Sequence, residues 1–227
     1  MNDFFLLKIP VTSETDWSFS AGHLAWLIFG ILFCVLMSSV YKRSKRKKRI
    51  RVAIAASAAF LEVFRALLLM SVGEYSVQTL PLHLCGLAVY LNLIHAVRGN
   101  RRLGKFLYAF CFPGAVFALV FPDWYYFPFF NILTFIAFLL HILVACYPLM
   151  QVSDLKPSIK DAPSNLLIMA AMAIPVYVFD RFTNTNYMFL NWPVPPLTLF
   201  AFLGRPGYLL GYLPLLAVTW LIIYVFV

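Results

Sequence analysis

Apolar residues are grouped along the chain into seven long runs, which are separated by shorter polar stretches. A run of about 20 apolar residues is long enough to cross the hydrocarbon core of a bilayer as a helix. The runs lie roughly at 18–41, 51–73, 79–97, 104–121, 127–149, 164–180 and 206–227. The pattern therefore predicts an all-α polytopic membrane protein, in which residues 1–227 form one domain of seven transmembrane helices.

Positively charged residues are concentrated in three of the loops between these runs. The loops at 42–51, 98–105 and 150–163 hold 14 of the 18 Lys and Arg residues. Short loops with this excess stay on the cytoplasmic side of a membrane. Tyr and Trp residues at 123–127 and 186–192 lie at the opposite interface, where aromatic residues are enriched. This distribution predicts an N-terminus outside the cell and a C-terminus in the cytoplasm.

The composition restricts the classes of function. Hydrophobic residues make up 63% of the chain and charged residues 12%, so a soluble fold is excluded. The basic run YKRSKRKKRIR directly follows an apolar run, so we expect it to set the topology and contact anionic lipid head groups, not nucleic acid. The four cysteines lack metal-ligand spacing and no phosphate-binding loop occurs, so we expect no metal and no cofactor. Membrane lipids are the expected partners.

Two ionisable residues lie inside the second run. Glu62 and Arg65 are three residues apart and therefore share one face of a helix. Ionisable residues in a membrane span are costly, so they pair with one another or serve a function. One interpretation is an internal ion pair. The other leaves Arg65 to contact a lipid anion and Glu62 to accept a hydrogen bond elsewhere.

The start of the third run, TLPLHLC, combines helix-start signals with a histidine. Thr79 is expected to cap the helix and Pro81 to occupy its first turn, which places His83 in that turn as well. The helix dipole there favours a neutral imidazole and attracts anions. His83 is therefore a candidate to bind a lipid phosphate or stabilise an oxyanion, or else it bonds a neighbouring helix.

Cys85 resembles a nucleophile beside this histidine, but residues two apart point to different sides of a helix. It cannot pair directly with His83 and shares a stripe with Asn92 instead. A buried cysteine is commonly an inert apolar residue, which is the alternative interpretation. His141 lies some fourteen residues into the fifth run, about 21 Å below its outer end, and needs a partner such as Glu62 or Asn92.

The longest outer loop, at 180–206, has a polar half and an apolar half that is rich in proline. The apolar half predicts a re-entrant or interfacial lid over the bundle. The functional interpretation puts Asp180, Asn186 and Tyr187 beside His83. The alternative is an ordinary folded loop, because Asn side chains bond readily to nearby backbone.

Several of these motifs together resemble a known family. They are LPLHLC at 80–85, a lone histidine in the span after FPDWYYFPF, TNTNYMFLNWP at 183–193 and LGRPGYLL at 203–210. The chain is similar to the YwaF-like bacterial integral membrane proteins, which are distantly related to the eukaryotic transmembrane protein 164 family. The resemblance implies a multi-pass protein of the bacterial plasma membrane.

The eukaryotic relatives imply lipid acyl transfer by a cysteine beside a histidine at the start of one helix, with a second histidine in a later span. The matching histidines here are His83 and His141. The residue before His83 is Leu82, and the nearest thiol belongs to Cys85. Direct transfer, in which a histidine acts as general base on a lipid hydroxyl, does not need the thiol.

Two hypotheses for the function follow. The first is an enzyme acting on lipid acyl groups in a polar pocket that faces the outer leaflet. Its candidate catalytic residues are His83, His141 and Cys85. Its candidate substrate-binding residues are Glu62, Arg65, Asn92, Asn186 and Tyr187. The second hypothesis is a transporter, lipid-binding protein or scaffold, in which Glu62, Asn92 and His141 line an intramembrane cavity.

Overall fold

The protein is described by a computed structural model that covers residues 3–7, 17–124, 127–194 and 197–225. Within these residues seven helices form the body of the protein. They are α1 (Ala21–Arg43), α2 (Lys47–Ser71), α3 (Leu84–Arg98), α4 (Arg101–Val120), α5 (Ile132–Leu149), α6 (Ala162–Thr183) and α7 (Tyr212–Val225). Short helical turns lie at Asp3–Phe5, Val152–Leu155, Ile159–Asp161, Tyr187–Phe189, Leu197–Leu203, Gly204–Gly207 and Tyr208–Gly211. The described residues contain no β-strand, which confirms the all-α class.

Six helical stretches of the described chain are long and apolar enough to cross a membrane. They are Ala21–Arg43, Lys47–Ser71, Arg101–Val120, Ile132–Leu155, Ile159–Thr183 and Leu197–Val225. The third predicted run, 79–97, gives only the 15-residue helix α3, which at 1.5 Å per residue is about 22 Å long. A multi-pass membrane protein is therefore confirmed, with a third helix that is shorter than predicted.

Helix α5 is the centre of the bundle and packs against α1, α2, α3 and α4. Its buried Tyr147 forms a 2.8 Å hydrogen bond with Nδ1 of His95 on α3, so the two helices are also joined by polar atoms. Helix α1 is peripheral and exposes apolar side chains such as Ile31 and Leu32. Such a surface is suited to contact with lipid chains, because apolar side chains need no hydrogen-bond partners in the hydrocarbon core of a bilayer.

Helix α4 contains a π-helical segment, Leu107–Cys111, between two α-helical parts. A π-helix changes the hydrogen-bond pattern of the backbone, and such segments are frequent at functional sites. Here the indole Nε1 of Trp220 donates to the carbonyl of Ala109 at 3.1 Å. The hydroxyl of Tyr108 donates to the carbonyl of Ile223 at 3.0 Å. The segment thereby attaches α7 to the core of the bundle.

The end of the bundle that carries the basic run is tied together by ion pairs. Lys47 pairs with Asp154 at 2.7 Å, and Lys105 pairs with Asp161 at 2.8 Å. The hydroxyl of Tyr41 also donates to Asp154. Surface pairs of this kind contribute little individually, but these contacts connect both the α1–α2 corner and helix α4 to the segment between α5 and α6.

The prediction for the start of the third helix is wrong. Thr79 does not cap it, and Pro81 is not in its first turn. The helix begins at Leu84, and His83 is the N-cap residue. The chain before it folds over the first turn so closely that a Cβ at Gly86 would lie 2.6 Å from the carbonyl oxygen of Pro81.

Hydrogen bonds from distant parts of the chain explain this difference. Nη2 of Arg65 donates to the carbonyl of Thr79 at 2.9 Å. The hydroxyl of Tyr187 donates to the carbonyl of Val77 at 2.6 Å. These carbonyls are therefore satisfied by tertiary partners, which outweigh the local helix-start signals.

The segment after the polar loop is helical and folds back on itself. Leu197–Leu203 packs against Tyr208–Gly211, and the ring of Phe200 lies against Gly211, where a larger residue would not fit. The role of this segment as a re-entrant or interfacial lid stays a prediction. Residues 195–196 and 226–227 of the predicted loop and last span lie outside the described residues.

Candidate functional site

The polar loop is anchored on the buried side chain of Asp180 at the end of α6. Its Oδ1 accepts hydrogen bonds from Oγ1 of Thr185 at 2.6 Å and from the backbone N–H of Tyr187 at 3.0 Å. Asn191 Nδ2 donates to the carbonyls of Asp180 and Thr185 at 3.2 and 2.9 Å. Oδ2 of Asp180 is buried and has no hydrogen-bond partner within the described residues. The carboxylate therefore holds the loop through one of its two oxygens.

Asn186 holds the other side of the same loop. Its Oδ1 accepts from the backbone N–H groups of Asn191 and Trp192 at 2.9 and 3.0 Å, and its Nδ2 donates to the carbonyl of Trp192 at 3.1 Å. Burial raises the pKa of Tyr187, whose hydroxyl bonds Val77, to about 12. The polar groups of both predicted substrate-binding residues are thus engaged in holding the loop.

Two consecutive residues of the loop, Met188 and Phe189, adopt left-handed backbone conformations with φ of 53° and 55°. This conformation costs of order 1–3 kcal/mol for a residue other than glycine, so the surroundings must hold it. The hydroxyls of Tyr212 and Tyr208 donate to the carbonyls of Met188 and Phe189 at 2.7 and 3.0 Å. The same turn points the backbone N–H of Met188 at Nδ1 of His83, 3.3 Å away.

This contact determines the tautomer of His83. Because a backbone N–H can only donate, Nδ1 of the ring accepts, and the proton of the neutral imidazole is on Nε2. The ring packs between Tyr187 and Phe189, with centroid distances of 5.0 and 5.5 Å. The residue is half-buried, and Nε2 makes no hydrogen bond within the described residues. His83 therefore presents a free N–H donor.

His141 has the opposite tautomer. It lies nine residues after the first residue of α5, about 14 Å along the helix, because α5 begins at Ile132 and not near 127. Nδ1 bonds the carbonyl of Ala137 at 2.7 Å, and since a carbonyl can only accept, the neutral ring carries its proton on Nδ1. The ring stacks on Trp124 at 4.8 Å. Of the two expected partners, Glu62 acts on the ring electrostatically, and neither Glu62 nor Asn92 forms a hydrogen bond with it within the described residues. In this part of the chain Nε2 keeps a free lone pair.

Asp123 links the candidate catalytic residues electrostatically. Its carboxylate acts on His83, Cys85 and His141, and the two histidines also act on each other. His83, Cys85 and His141 therefore all lie within electrostatic range of Asp123, near the starts of α3 and α5 and the end of α4, and this part of the structure is called the histidine region. Asp123 is not among the candidate residues predicted from the sequence, although it lies in the quoted stretch FPDWYYFPF. Its position directly after an apolar run was the available signal.

Cys85 lies in the first turn of α3 and is half-buried. Within the described residues, no hydrogen bond joins its thiol to His83 or His141. It also lies near the buried thiol of Cys111 in the π-helical segment. The structure thus brings Cys85 into the region around Asp123 without giving it a general base in contact.

Glu62 and Arg65 form the predicted internal ion pair. Nη2 and Nε of the arginine donate to the two carboxylate oxygens at 2.6 and 3.1 Å. Nη2 also donates to Thr79, as described above, which leaves Nη1 free of any hydrogen bond in the described structure. The carboxylate of buried Glu62 acts electrostatically on His141. The pair is therefore structural and also borders the histidine region.

Asn92 is buried in α3, and neither atom of its amide has a hydrogen-bond partner within the described residues. Asn165 on α6 shows the same two properties. An unpaired buried polar group costs about 1–3 kcal/mol, so each such group calls for an explanation. Within the described residues nothing satisfies either amide.

Comparison with known proteins places this arrangement in a family. A model of the TMEM164 family matches residues 18–224, a range that includes all of the candidate residues discussed above. No curated protein and no solved structure matches the chain. The chain belongs to the TMEM164 family.

Proposed function

We propose that the protein is a membrane-embedded enzyme that transfers acyl groups between membrane lipids. The observation that carries the proposal is the pair of opposite tautomers at His83 and His141. One ring offers an N–H donor and the other a lone pair, and both lie in the electrostatic range of Asp123. A donor for the ester carbonyl and a base for the attacking hydroxyl are what acyl transfer requires.

In the proposed reaction, Nε2 of His141 removes the proton from the hydroxyl of an acceptor lipid. The oxygen attacks the ester carbonyl of a donor lipid, and the N–H of His83 donates to the developing oxyanion. The old ester bond then breaks, and the His141 imidazolium returns its proton to the leaving oxygen. A new ester and a lyso-lipid are formed, without an external oxidant or reductant. Cys85 is the alternative nucleophile, which would carry the acyl group as a thioester.

The remaining candidate residues bind or position the substrate. Nη1 of Arg65 is directed to a lipid phosphate, while Glu62 holds the guanidinium in place. Asn92 supplies a polar contact deeper in the bundle. Asn186 and Tyr187 act indirectly, because they hold the turn that positions His83.

The proposal includes a topology. Seven spans, with α3 as the third, place the N-terminus outside and the C-terminus in the cytoplasm of a bacterial plasma membrane. The positive loops support this orientation. The histidine region then faces the outer leaflet.

The test uses the purified full chain in nanodiscs that contain a phospholipid with a labelled acyl chain and an unlabelled lysophospholipid. Mass spectrometry should detect the labelled chain on the acceptor. His141→Ala should lower the rate by about 10²–10⁴-fold, and His83→Ala by about 10²–10³-fold. His95→Gln is the matched control, since this histidine lies outside the histidine region, and its rate should stay near that of the parent protein.

Cys85→Ala separates the two routes. If transfer is direct, the Cys85→Ala variant should transfer acyl groups at a rate close to that of the parent protein. If transfer proceeds through a thioester, the variant should lose its activity. If folded protein transfers no acyl group with several phospholipids, the enzyme proposal is wrong. If His141→Ala keeps full activity, the proposed role of His141 as general base is wrong.

The second candidate function is a transporter or lipid-binding protein. The amide of buried Asn92, which has no hydrogen-bond partner among the described residues, favours it, because a polar group at that depth suits a cavity that continues inwards. Under this alternative, Asn92→Leu should abolish ligand retention, while the histidine variants should leave it largely intact.

A further inference from the structure

Two concave surfaces lie on the α1–α2 side of the bundle, and neither is lined by His83 or His141. The first is a cavity of about 570 Å³ at the end that carries the basic run. It is lined by Lys45, Arg46, Lys48, Arg49, Val52 and Ala53. Four of the six lining residues are cations, and none is acidic.

The second surface is an apolar groove of about 440 Å³ between α1, α2 and α5. Its walls include Phe29 and Phe33 of α1, Ala56 and Phe60 of α2, and Leu139 and Ile142 of α5. Ser57 is the one residue with a polar side chain in this lining. The groove therefore matches hydrocarbon in its chemistry.

One stripe of helix α2 connects the two surfaces. Val52 and Ala53 line the basic cavity, and residues 56, 57, 60 and 61, at steps of four, line the groove. Residues four apart lie above one another on a helix. From Val52 to Leu61 the stripe is about 14 Å long at 1.5 Å per residue, which is close to half of the roughly 30 Å hydrocarbon core. The combined surface has the length of one leaflet.

Within the described residues, no acidic side chain forms an ion pair with the four cations of the cavity. Among the described ion pairs, the basic run contributes only Lys47, which binds Asp154. Arg51 donates to the hydroxyl of Tyr41. The four lining cations repel one another, and a bound anion would remove this repulsion.

We propose that one anionic phospholipid, from the leaflet that faces the basic run, binds lengthwise along α2. Its phosphate lies in the basic cavity, and one acyl chain follows the stripe of α2 into the groove. The site is distinct from the histidine region, so a test of lipid binding at this site is independent of a test of acyl transfer. Charge complementarity at one end and apolar lining along one leaflet length identify a lipid as the occupant.

The test is native mass spectrometry of the full chain with defined mixtures of phosphatidylglycerol and phosphatidylcholine. The parent protein should retain one phosphatidylglycerol in preference to phosphatidylcholine. Lys48→Gln with Arg49→Gln should weaken this retention about thirtyfold, taking about 1 kcal/mol for each cation near a membrane surface. Lys42→Gln with Arg43→Gln is the matched control, because it removes two charges of the same run outside the cavity. The control should retain the lipid nearly as well as the parent protein.

The apolar part of the site has its own pair of variants. Ala56→Trp fills the groove and should lower phosphatidylglycerol retention at least tenfold. Val63→Trp puts the same side chain at an exposed position of α2 outside the groove and should have little effect. Glycerol 3-phosphate, the head group alone, should compete only weakly.

Three results would overturn the proposal. Equal losses in the two double variants would show that binding reflects the diffuse surface charge. Full retention in the Ala56→Trp variant would leave the groove without a role. Equally tight binding of glycerol 3-phosphate would identify a site for small phosphates instead of a lipid.

Discussion

Replacement of Asp180 tests how the loop over His83 is held in place. Asp180→Ala removes the acceptor for Thr185 Oγ1 at 2.6 Å and for the backbone N–H of Tyr187 at 3.0 Å. A hydrogen bond to a charged group contributes about 1.5–3 kcal/mol, and a buried donor without a partner carries its own penalty. Two such bonds amount to roughly 3–6 kcal/mol. We expect the variant to lose about that much of its free energy of unfolding.

Asp180→Asn is the matched variant. The amide keeps an oxygen in the position of Oδ1, so both hydrogen bonds can still form. It replaces Oδ2, which is buried and lacks a partner within the described residues, with an uncharged group. We expect this variant to lose less of its free energy of unfolding than Asp180→Ala, because both hydrogen bonds are retained. The remaining loss should be about 1–3 kcal/mol, because the new Nδ2 amide is a buried donor without a partner in the described part of the chain.

The measurement is the apparent melting temperature of each variant in one detergent, followed by tryptophan fluorescence. A change of 1 kcal/mol shifts the melting temperature of a chain of this size by about 2–4 °C, so Asp180→Ala should melt roughly 10 °C lower. The rate at which a histidine-specific reagent modifies His83 should also rise in that variant. If Asp180→Asn is as unstable as Asp180→Ala, the negative charge holds the loop and the hydrogen-bond argument fails.

Three other variants test contacts in the bundle. Gly86→Ala should cost about 1–3 kcal/mol, because the added methyl meets the backbone of Pro81, and a stability near the parent value would contradict that close approach. Tyr147→Phe should cost about 1 kcal/mol in the same melting assay by leaving Nδ1 of His95 without its partner; no change would show that the hydrogen bond contributes nothing. Glu62→Gln should lower the free energy of unfolding by roughly 3 kcal/mol, because it leaves the partly buried charge of Arg65 without its counter-ion. An unchanged stability would mean that solvent already screens the pair.

The features that follow from periodicity and charge were predictable from the sequence. The apolar runs correspond to helices, because a bilayer requires long helical segments whatever their tertiary contacts. The pairing of Glu62 with Arg65 depends on two residues on one face of one helix, which is a local property. The approach of Tyr187 to His83 was also expected, although as one of two interpretations of the loop.

The features that were missed depend on contacts between distant parts of the chain. Thr79 carries a helix-start signal, yet its carbonyl is taken by Arg65 and the helix begins later. His141 was predicted to have a partner on another helix, but its Nδ1 forms a hydrogen bond with the carbonyl one turn earlier on its own helix. Asp123 acts on three candidate residues from other segments. Its position after an apolar run marks it as a polar residue at the end of a span, but the sequence does not show which residues it approaches.

The π-helical segment Leu107–Cys111 has a consequence for how this region could have evolved. Each residue turns an α-helix by about 100°, so loss of one residue here would rotate Phe112–Val120 about its axis by that angle relative to Arg101–Phe106. Asp123 lies three residues after the end of the rotated part, so its carboxylate would move away from the imidazole rings of His83 and His141. We therefore expect deletions within Leu107–Cys111 only in homologues that also lack a carboxylate at the position of Asp123.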